Sequence, residues 1–419
     1  MAADPTIALG GKAAIVGVGA SRFERRPETS VFEFAATALN GALADAGLEK
    51  EQIDGLIVQI GSPRGADYDG IAQTFGLAPA YCSQTWAHGR FAVTVIIQAA
   101  MAVATGMATR VACLMAMKNS DIGRMGEADN PFFHEQFREN GGPHGEEGPI
   151  GMSSPIAGAA MGFDVYCRRY GLDREMLAAI PMTFRDHALL TDDAVMRTAM
   201  TQADYAASRP IVDPLRLLDC SPVGDGAVCM IVQAAEGVPG EVRITGAQGL
   251  RAGRETFIFA PVGLGVGQQS TRRISESEAR AQPVYLMAGA SADTIDVLGL
   301  YDSFSPLPLY ALEDFGFCGA GEALHFIQDG RIAIGGALPV NTAGGQLSQA
   351  QMNGWGQIRE LVTQLRGQAG PRQVACSPGL GRWNLMGMVT WPPPTGTPER
   401  LVGAMRMPAA RASAAAPKP

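Results

Sequence analysis

Two stretches of this chain repeat one another in the same order, and a chain that repeats itself in this way folds as two like halves. Ala46-Gly47 precedes Ile53-Asp54-Gly55-Leu56, and Ala288-Gly289 precedes Ile295-Asp296-Val297-Leu298 at the same spacing. Farther along, Gly89, a helical run, Gly106 and Arg110-Val-Ala-Cys113 are matched by Gly354, a helical run, Gly367 and Gln373-Val-Ala-Cys376. The two offsets differ, so the register drifts by an insertion. One such match arises by chance among alternating strands and helices; two in the same order indicate an internal duplication. The length, 419 residues, suits two fused halves of about 150–200 residues.

Local patterns supply the elements. Lys12 to Gly19 reads as a buried strand and Ile53 to Ile60 as the next one. Between them, Val31 to Ala46 carries apolar residues at helical spacing (Phe34, Ala35, Ala38, Leu39, Leu43), with Gly47 as its C-cap. Cys82 to Gly89 leads into an apolar helical run from Phe91 to Ala104. An insertion separates the halves from about Ser120 to Ser208. Its first part, through Gly151, is rich in Gly, Glu, Asn and His and reads as loop. Its second part predicts helices over Pro155–Tyr170 and Arg174–Leu190, and Arg209 to Pro214 is expected to return the chain to the sheet. The expected divisions are a first half over 12–240, holding an inserted domain over 120–208, a second half over 241–391, and a flexible tail over 392–419 that is poor in core-forming residues.

Composition excludes several classes. The net charge of −8 argues against nucleic acid. No apolar run is long enough to span a membrane, and the N-terminal residues lack a secretory pattern, so a cytoplasmic location is expected. The seven cysteines show no CxxC spacing. Cys113, Cys167, Cys220, Cys229 and Cys318 sit in apolar settings and read as reduced core residues. His134 and His144 lack metal-ligand spacing, so no metal site is expected.

Four segments together resemble the sterol-carrier-protein type of thiolase and its relatives. They are Leu218-Asp219-Cys220-Ser221-Pro222 through Asp225-Gly226-Ala227, then Tyr301-Asp302-Ser303-Phe304 with Leu312-Glu313 and Gly321-Glu322, then Pro339-Val340-Asn341-Thr342-Ala343-Gly344-Gly345, and Gln351-Met352-Asn353-Gly354. The resemblance covers about residues 12–391. It implies an α/β fold, the duplicated αβαβα five-layer sandwich of thiolases with an inserted loop domain. It also implies a homodimer, and a site where two central helix N-termini, after Gly89 and Gly354, approach each other. Free N–H groups there suit a thioester oxygen.

The resemblance also shows what is missing. Aligned on Gly89, Trp86 stands where a thiolase carries its nucleophilic cysteine, and Gln351 stands where it carries its activating histidine. Tryptophan forms no acyl-thioester, and glutamine relays no proton. Cys82 lies four residues before Trp86, but a nucleophilic thiol needs surroundings that lower its pKa. Tyr301 occupies the position of the family's histidine in the Tyr301-Asp302-Ser303-Phe304 segment. Tyrosine is found there in the thiolase-like aldolases that cleave steroid side chains. Their second tyrosine is replaced here by Gln351. The catalytic candidates are therefore Tyr301, His88, Gln351 and Cys376. Trp86, Gly89, Asn353, Trp355 and Trp383 are candidates for the substrate pocket. Asp302 and Asp225 are expected to bind backbone groups at turns.

The expected function is a retro-aldol carbon–carbon lyase acting on a 3-hydroxyacyl-CoA or similar thioester without a covalent cysteine intermediate. The alternatives are an acyltransferase or C–C hydrolase on the same fold, or a non-catalytic scaffold subunit. No permanently bound cofactor is expected, with the CoA thioester as substrate. Related aldolases work with a separate zinc-ribbon and OB-fold protein, so such a partner is expected too.

Overall fold

The computed structural model describes residues 9–25, 27–60, 66–85, 92–122, 155–248, 277–278, 281–375, 384–390 and 400–406. The first half contains β1 (Ala13–Ala20), α1 (Val31–Ala46), β2 (Gly55–Ile60), α2 (Tyr68–Phe75), β3 (Tyr81–Thr85), α3 (Ala92–Ala104) and β4 (Arg110–Lys118). The insertion supplies α4 (Pro155–Tyr170), α5 (Ala179–Leu189), α6 (Gln202–Ala207) and a small hairpin, β5 (Pro210–Val212) with β6 (Leu215–Arg216). β7 (Asp225–Ala234) completes the first half. The second half holds β8 (Val242–Gln248), α7 (Pro283–Ala288), β9 (Val297–Leu300), α8 (Leu307–Asp314), α9 (Ala323–Phe326), α10 (Gly345–Ser348), α11 (Trp355–Leu365), β10 (Asn384–Thr390) and β11 (Arg400–Arg406).

The duplication is visible in local chemistry. Ser30 caps α1 with its side chain on the Glu33 N–H, and the Glu33 carboxylate reaches back to the Ser30 N–H. At the other end Gly47 takes a left-handed conformation at φ 64°, and a short 3₁₀ turn leads into β2. In the second half α7 ends on Gly289 at φ 60°, and a 3₁₀ turn again leads into β9. Glycine adopts this backbone without the steric cost a Cβ brings, which is why both copies place glycine there.

The strand order repeats as well. One sheet runs β3-β2-β4-β7-β1-β8-β11-β10-β9, and β1 meets β8 antiparallel, Ala13 beside Ile244, at the seam. Outward from the seam on the first side, β7 is antiparallel to both β1 and β4, and β2 is parallel to β4 and β3. On the second side β11 is antiparallel to both β8 and β10, β9 is parallel to β10, and Leu298 makes a parallel bridge to Val340. The two halves are the same arrangement twice.

Strand side chains alternate between two cores. Leu56, Val58, Ala112 and Leu114 pack with α1, whereas Ile57, Val111, Cys113 and Met115 join α3, α11 and the insertion helices in the larger core. Trp355, at the start of α11, is wholly buried, and its indole N–H donates to Gln59 Oε1 on β2 at 2.5 Å, tying the halves together.

Two expectations need correction. Arg209 to Pro214 do not rejoin the main sheet; Pro210–Val212 pair with β6 in a separate hairpin, and the chain re-enters the main sheet at Asp225. The second repeat holds through its helix and the following left-handed glycine, Gly106 and Gly367, but Gln373–Ala375 form no strand. Gln364 of α11 accepts from the Gln373 amide at 3.1 Å and from the Val374 N–H at 3.0 Å, which holds that segment against the helix. Helix α6 stands outside every expected element, although Thr201 and Asp204 form a capping box at its start.

The insertion is locked to the second half through His187 on α5. Its Nε2 accepts the Ile334 N–H at 3.0 Å and its Nδ1 lies 3.2 Å from the Asn341 carbonyl. A backbone N–H only donates, so Nε2 is bare and Nδ1 carries the proton; the ring is neutral. Burial pushes its pKa down to about 4. The folded-state value lies below the unfolded one, so its stabilising contribution is complete above about pH 6.5 and is lost as pH falls towards 4. At roughly 1.4 kcal/mol per unit the loss reaches about 3 kcal/mol. Urea unfolding across this range should show a steeper acid-side decline in the wild type than in His187→Asn, whose amide keeps a donor for the Asn341 carbonyl; parallel profiles would contradict the assignment.

Candidate active site

Tyr301 is the first residue beyond β9 and is buried, with 2% of its surface exposed. Its position is set by its neighbours. The Leu300 N–H donates to Asn341 Oδ1 at 2.8 Å, and Asn341 Nδ2 returns a bond to the Leu300 carbonyl at 2.9 Å. On the other side the Ser221 N–H donates to the Ser303 carbonyl at 2.9 Å, and Cys220 bridges Phe304. Three of the four segments that carry the resemblance thus converge on Tyr301: 218–227, 301–304 and 339–345.

Asp302 is the clamp. Its carboxylate is fully buried and accepts from the Gln346 N–H at 2.9 Å, the Leu347 N–H at 3.3 Å and Gln357 Nε2 at 2.7 Å. It therefore joins the Tyr301 segment to α10 and α11. A Cβ placed on Gly345 would fall 2.1 Å from Asp302 Oδ2, so only glycine lets the turn come this close. Burial pushes the Asp302 carboxyl up to about 7, against the hydrogen bonds that hold it down. Asp225 plays a similar part, accepting from the Ser120 N–H at 2.9 Å and the Ser120 hydroxyl at 2.5 Å. Both carboxylates bind turns, as the sequence predicts.

Gln351 and Asn353 lie on the loop between α10 and α11. The Gln351 carbonyl accepts from Asn119 Nδ2 at 3.5 Å, at the point where β4 ends. Asn353 takes a left-handed conformation at φ 49°, a region asparagine tolerates, and Gly354 follows at φ 90° to open α11. Trp355 points into the core, so its placement is that of a packing residue. Trp86, His88, Gly89, Cys376 and Trp383 lie outside the described residues. Cys82 sits on the edge strand β3, and burial with the nearby Asp69 charge raises its thiol pKa, the opposite of what activates a nucleophile.

Two polar side chains that were not among the candidate site residues stand beside this clamp. Ser303 Oγ, and both the nitrogen and the oxygen of the Gln346 amide, are buried with no hydrogen-bond partner among the described residues. Ser303 had a signal in its place within the Tyr301–Phe304 segment. Gln346 had none, because a lone glutamine after two glycines reads as an ordinary polar turn residue.

Comparison with known proteins agrees with this geometry. Residues 267–381 match the family described as Thiolase C-terminal domain-like. A steroid side-chain-cleaving aldolase of Thermomonospora curvata is 32% identical over 364 residues, 86% of this chain and 91% of the relative. The 17-hydroxy-3-oxo-4-pregnene-20-carboxyl-CoA lyase of Mycobacterium tuberculosis is 33% identical over 398 residues, 89% of this chain and 97% of the relative. A solved Ltp2-ChsH2(DUF35) aldolase superposes with a TM-score of 0.77 at 31% identity, covering 95% of this chain and 99% of the other. A likeness that spans both halves, the clamp and the Tyr301 segment is one of the whole protein: the chain belongs to the thiolase-fold aldolases, the carbon–carbon lyases of the thiolase superfamily.

Proposed function

We propose that this protein cleaves the C2–C3 bond of a 3-hydroxyacyl-CoA by a retro-aldol step, with no acyl-enzyme, together with a separate DUF35-type partner. The observation that carries this reading is Tyr301, buried at the end of β9 on a segment braced from both sides, in a family of lyases. A base takes the proton of the 3-hydroxyl. The oxygen's electron pair closes a carbonyl as the C2–C3 bond breaks, and the bonding pair passes into the thioester as its enolate. The enolate then takes a proton at C2. The products are a ketone or aldehyde and a shortened acyl-CoA. Tyr301 is assigned as the base, with His88 and Gln351 as the other polar groups of the site. Helix N-termini after Gly89 and Gly354 supply N–H donors for the enolate oxygen.

The relatives support this substrate class. In a 17-hydroxy-pregnene-20-carboxyl thioester the hydroxyl lies on the carbon β to the thioester carbonyl, the arrangement a retro-aldol needs. The partner reading rests on the solved aldolase, which contains a DUF35 chain. The test is to express the chain with and without such a partner and to follow ketone release from that thioester. Ketone release that requires the partner is expected. Thioester hydrolysis with the carbon skeleton intact would contradict the lyase reading.

A further inference from the structure

We propose that the Gln346 side chain is a substrate-binding group that spans the thioester carbonyl and the 3-hydroxyl oxygen; this assignment rests on the lyase reading above. A fully buried amide with neither polar atom paired is costly to the free protein. A leucine or methionine at this place would avoid that cost.

The short helix α10 shows where the amide lies. A Cβ on Gly344 would meet Ala188 of α5, and Ser348 Oγ accepts from Arg185 Nε at 3.0 Å, so positions 344 and 348 face the insertion. Gln346 lies two residues from each, on the opposite side. Ala350, just beyond the end of α10, lies against Gly224 at the entrance to β7, where a Cβ added at Gly224 would come within 2.9 Å of its Cβ. The Gln346 side chain therefore stands on the face of α10 turned away from the insertion. Its own N–H is bonded to Asp302, the residue after Tyr301. An unpartnered amide is thus held next to the Tyr301 segment, on the side of α10 away from the insertion.

The chemistry fits a 3-hydroxyacyl thioester. The amide NH₂ carries two donors. Once the hydroxyl proton is directed at the base, the substrate presents two acceptor oxygens on carbons separated by one. As C2–C3 breaks, the first becomes an enolate oxygen and the second a ketone oxygen; both remain acceptors, and the enolate is the stronger. The donor group is therefore matched to ground state and transition state, and more tightly to the latter.

The test compares wild type, Gln346→Met and Gln346→Glu as the intact complex. The probes are 17-hydroxy-3-oxo-4-pregnene-20-carboxyl-CoA and the same thioester without the 17-hydroxyl. Gln346→Met is expected to unfold at a higher temperature than wild type without ligand. It should lose about 10²–10³ in kcat/KM, the usual size for one oxyanion donor, and lose the preference for the hydroxylated thioester in binding. Gln346→Glu has no donor in its ionised form and should lose activity without gaining stability. A Gln346→Met protein less stable than wild type would show the amide already satisfied, by water, and would overturn the assignment. A more stable Gln346→Met that keeps wild-type discrimination would make the amide a strained core residue only. Wild type that binds neither thioester would overturn the lyase reading itself, and that failure shows before any variant is measured.

Discussion

Tyr301→Phe is expected to leave the fold unchanged and to lower turnover by roughly 10²–10⁴, the usual size of a general-base contribution. The segment is placed by bonds through the backbone of Leu300 and Ser303 and the side chains of Asn341 and Asp302, all of which the variant keeps. The loss should fall on kcat more than on KM, since the base acts on the hydroxyl proton as the C–C bond breaks. Cys82→Ala, measured alongside, should change little, because its raised thiol pKa and edge-strand position leave it no part in the chemistry. Tyr301→Phe with near-wild-type turnover would remove the phenol from the mechanism.

Asp302→Ala is expected to cost stability as well as activity. The substitution leaves the Gln346 N–H, the Leu347 N–H and the Gln357 amide without their buried acceptor. Each orphaned donor costs about 1–3 kcal/mol, so a loss of at least about 3 kcal/mol is expected. Asp302→Asn keeps one acceptor oxygen and turns an NH₂ group towards donors, so it should fall between. Urea midpoints measured at pH 5 and pH 8 give a further check. The folded-state pKa is raised, so burying the carboxyl is best tolerated below its unfolded value, and stability from this group declines as pH rises through about 7. The stability gap between wild type and Asp302→Ala should therefore be wider at pH 5. An Asp302→Ala protein as stable as wild type would show that the clamp is not what holds the Tyr301 segment to α10.

Much of the fold is legible in the chain because its signals are local. Gly47 and Gly289 mark helix ends by their own backbone requirement, and alternating apolar residues mark strands with both faces covered. The site is legible only where a motif stands. Tyr301 could be named from its four-residue segment, and the binding of Asp302 and Asp225 to turns from residue type. His187 could not, since its two partners lie 147 and 154 residues away in sequence. Trp355 shows the converse. A tryptophan at a helix start near a site reads as a pocket wall, and only its bond to Gln59, 296 residues distant, shows that it is core. Gln346 is the extreme case: what marks it is burial without a partner, a property of packing and not of the sequence around it.

On the proposed mechanism this thiolase fold breaks a carbon–carbon bond without ever holding its substrate covalently. Intact-protein mass spectrometry of the complex during turnover of 17-hydroxy-3-oxo-4-pregnene-20-carboxyl-CoA, with the small products quantified in parallel, tests it most directly. The expected result is ketone and shortened acyl-CoA in equal amounts, with the protein mass unchanged at every time point. An acyl adduct on any cysteine of the chain that forms and decays at the rate of turnover would contradict it.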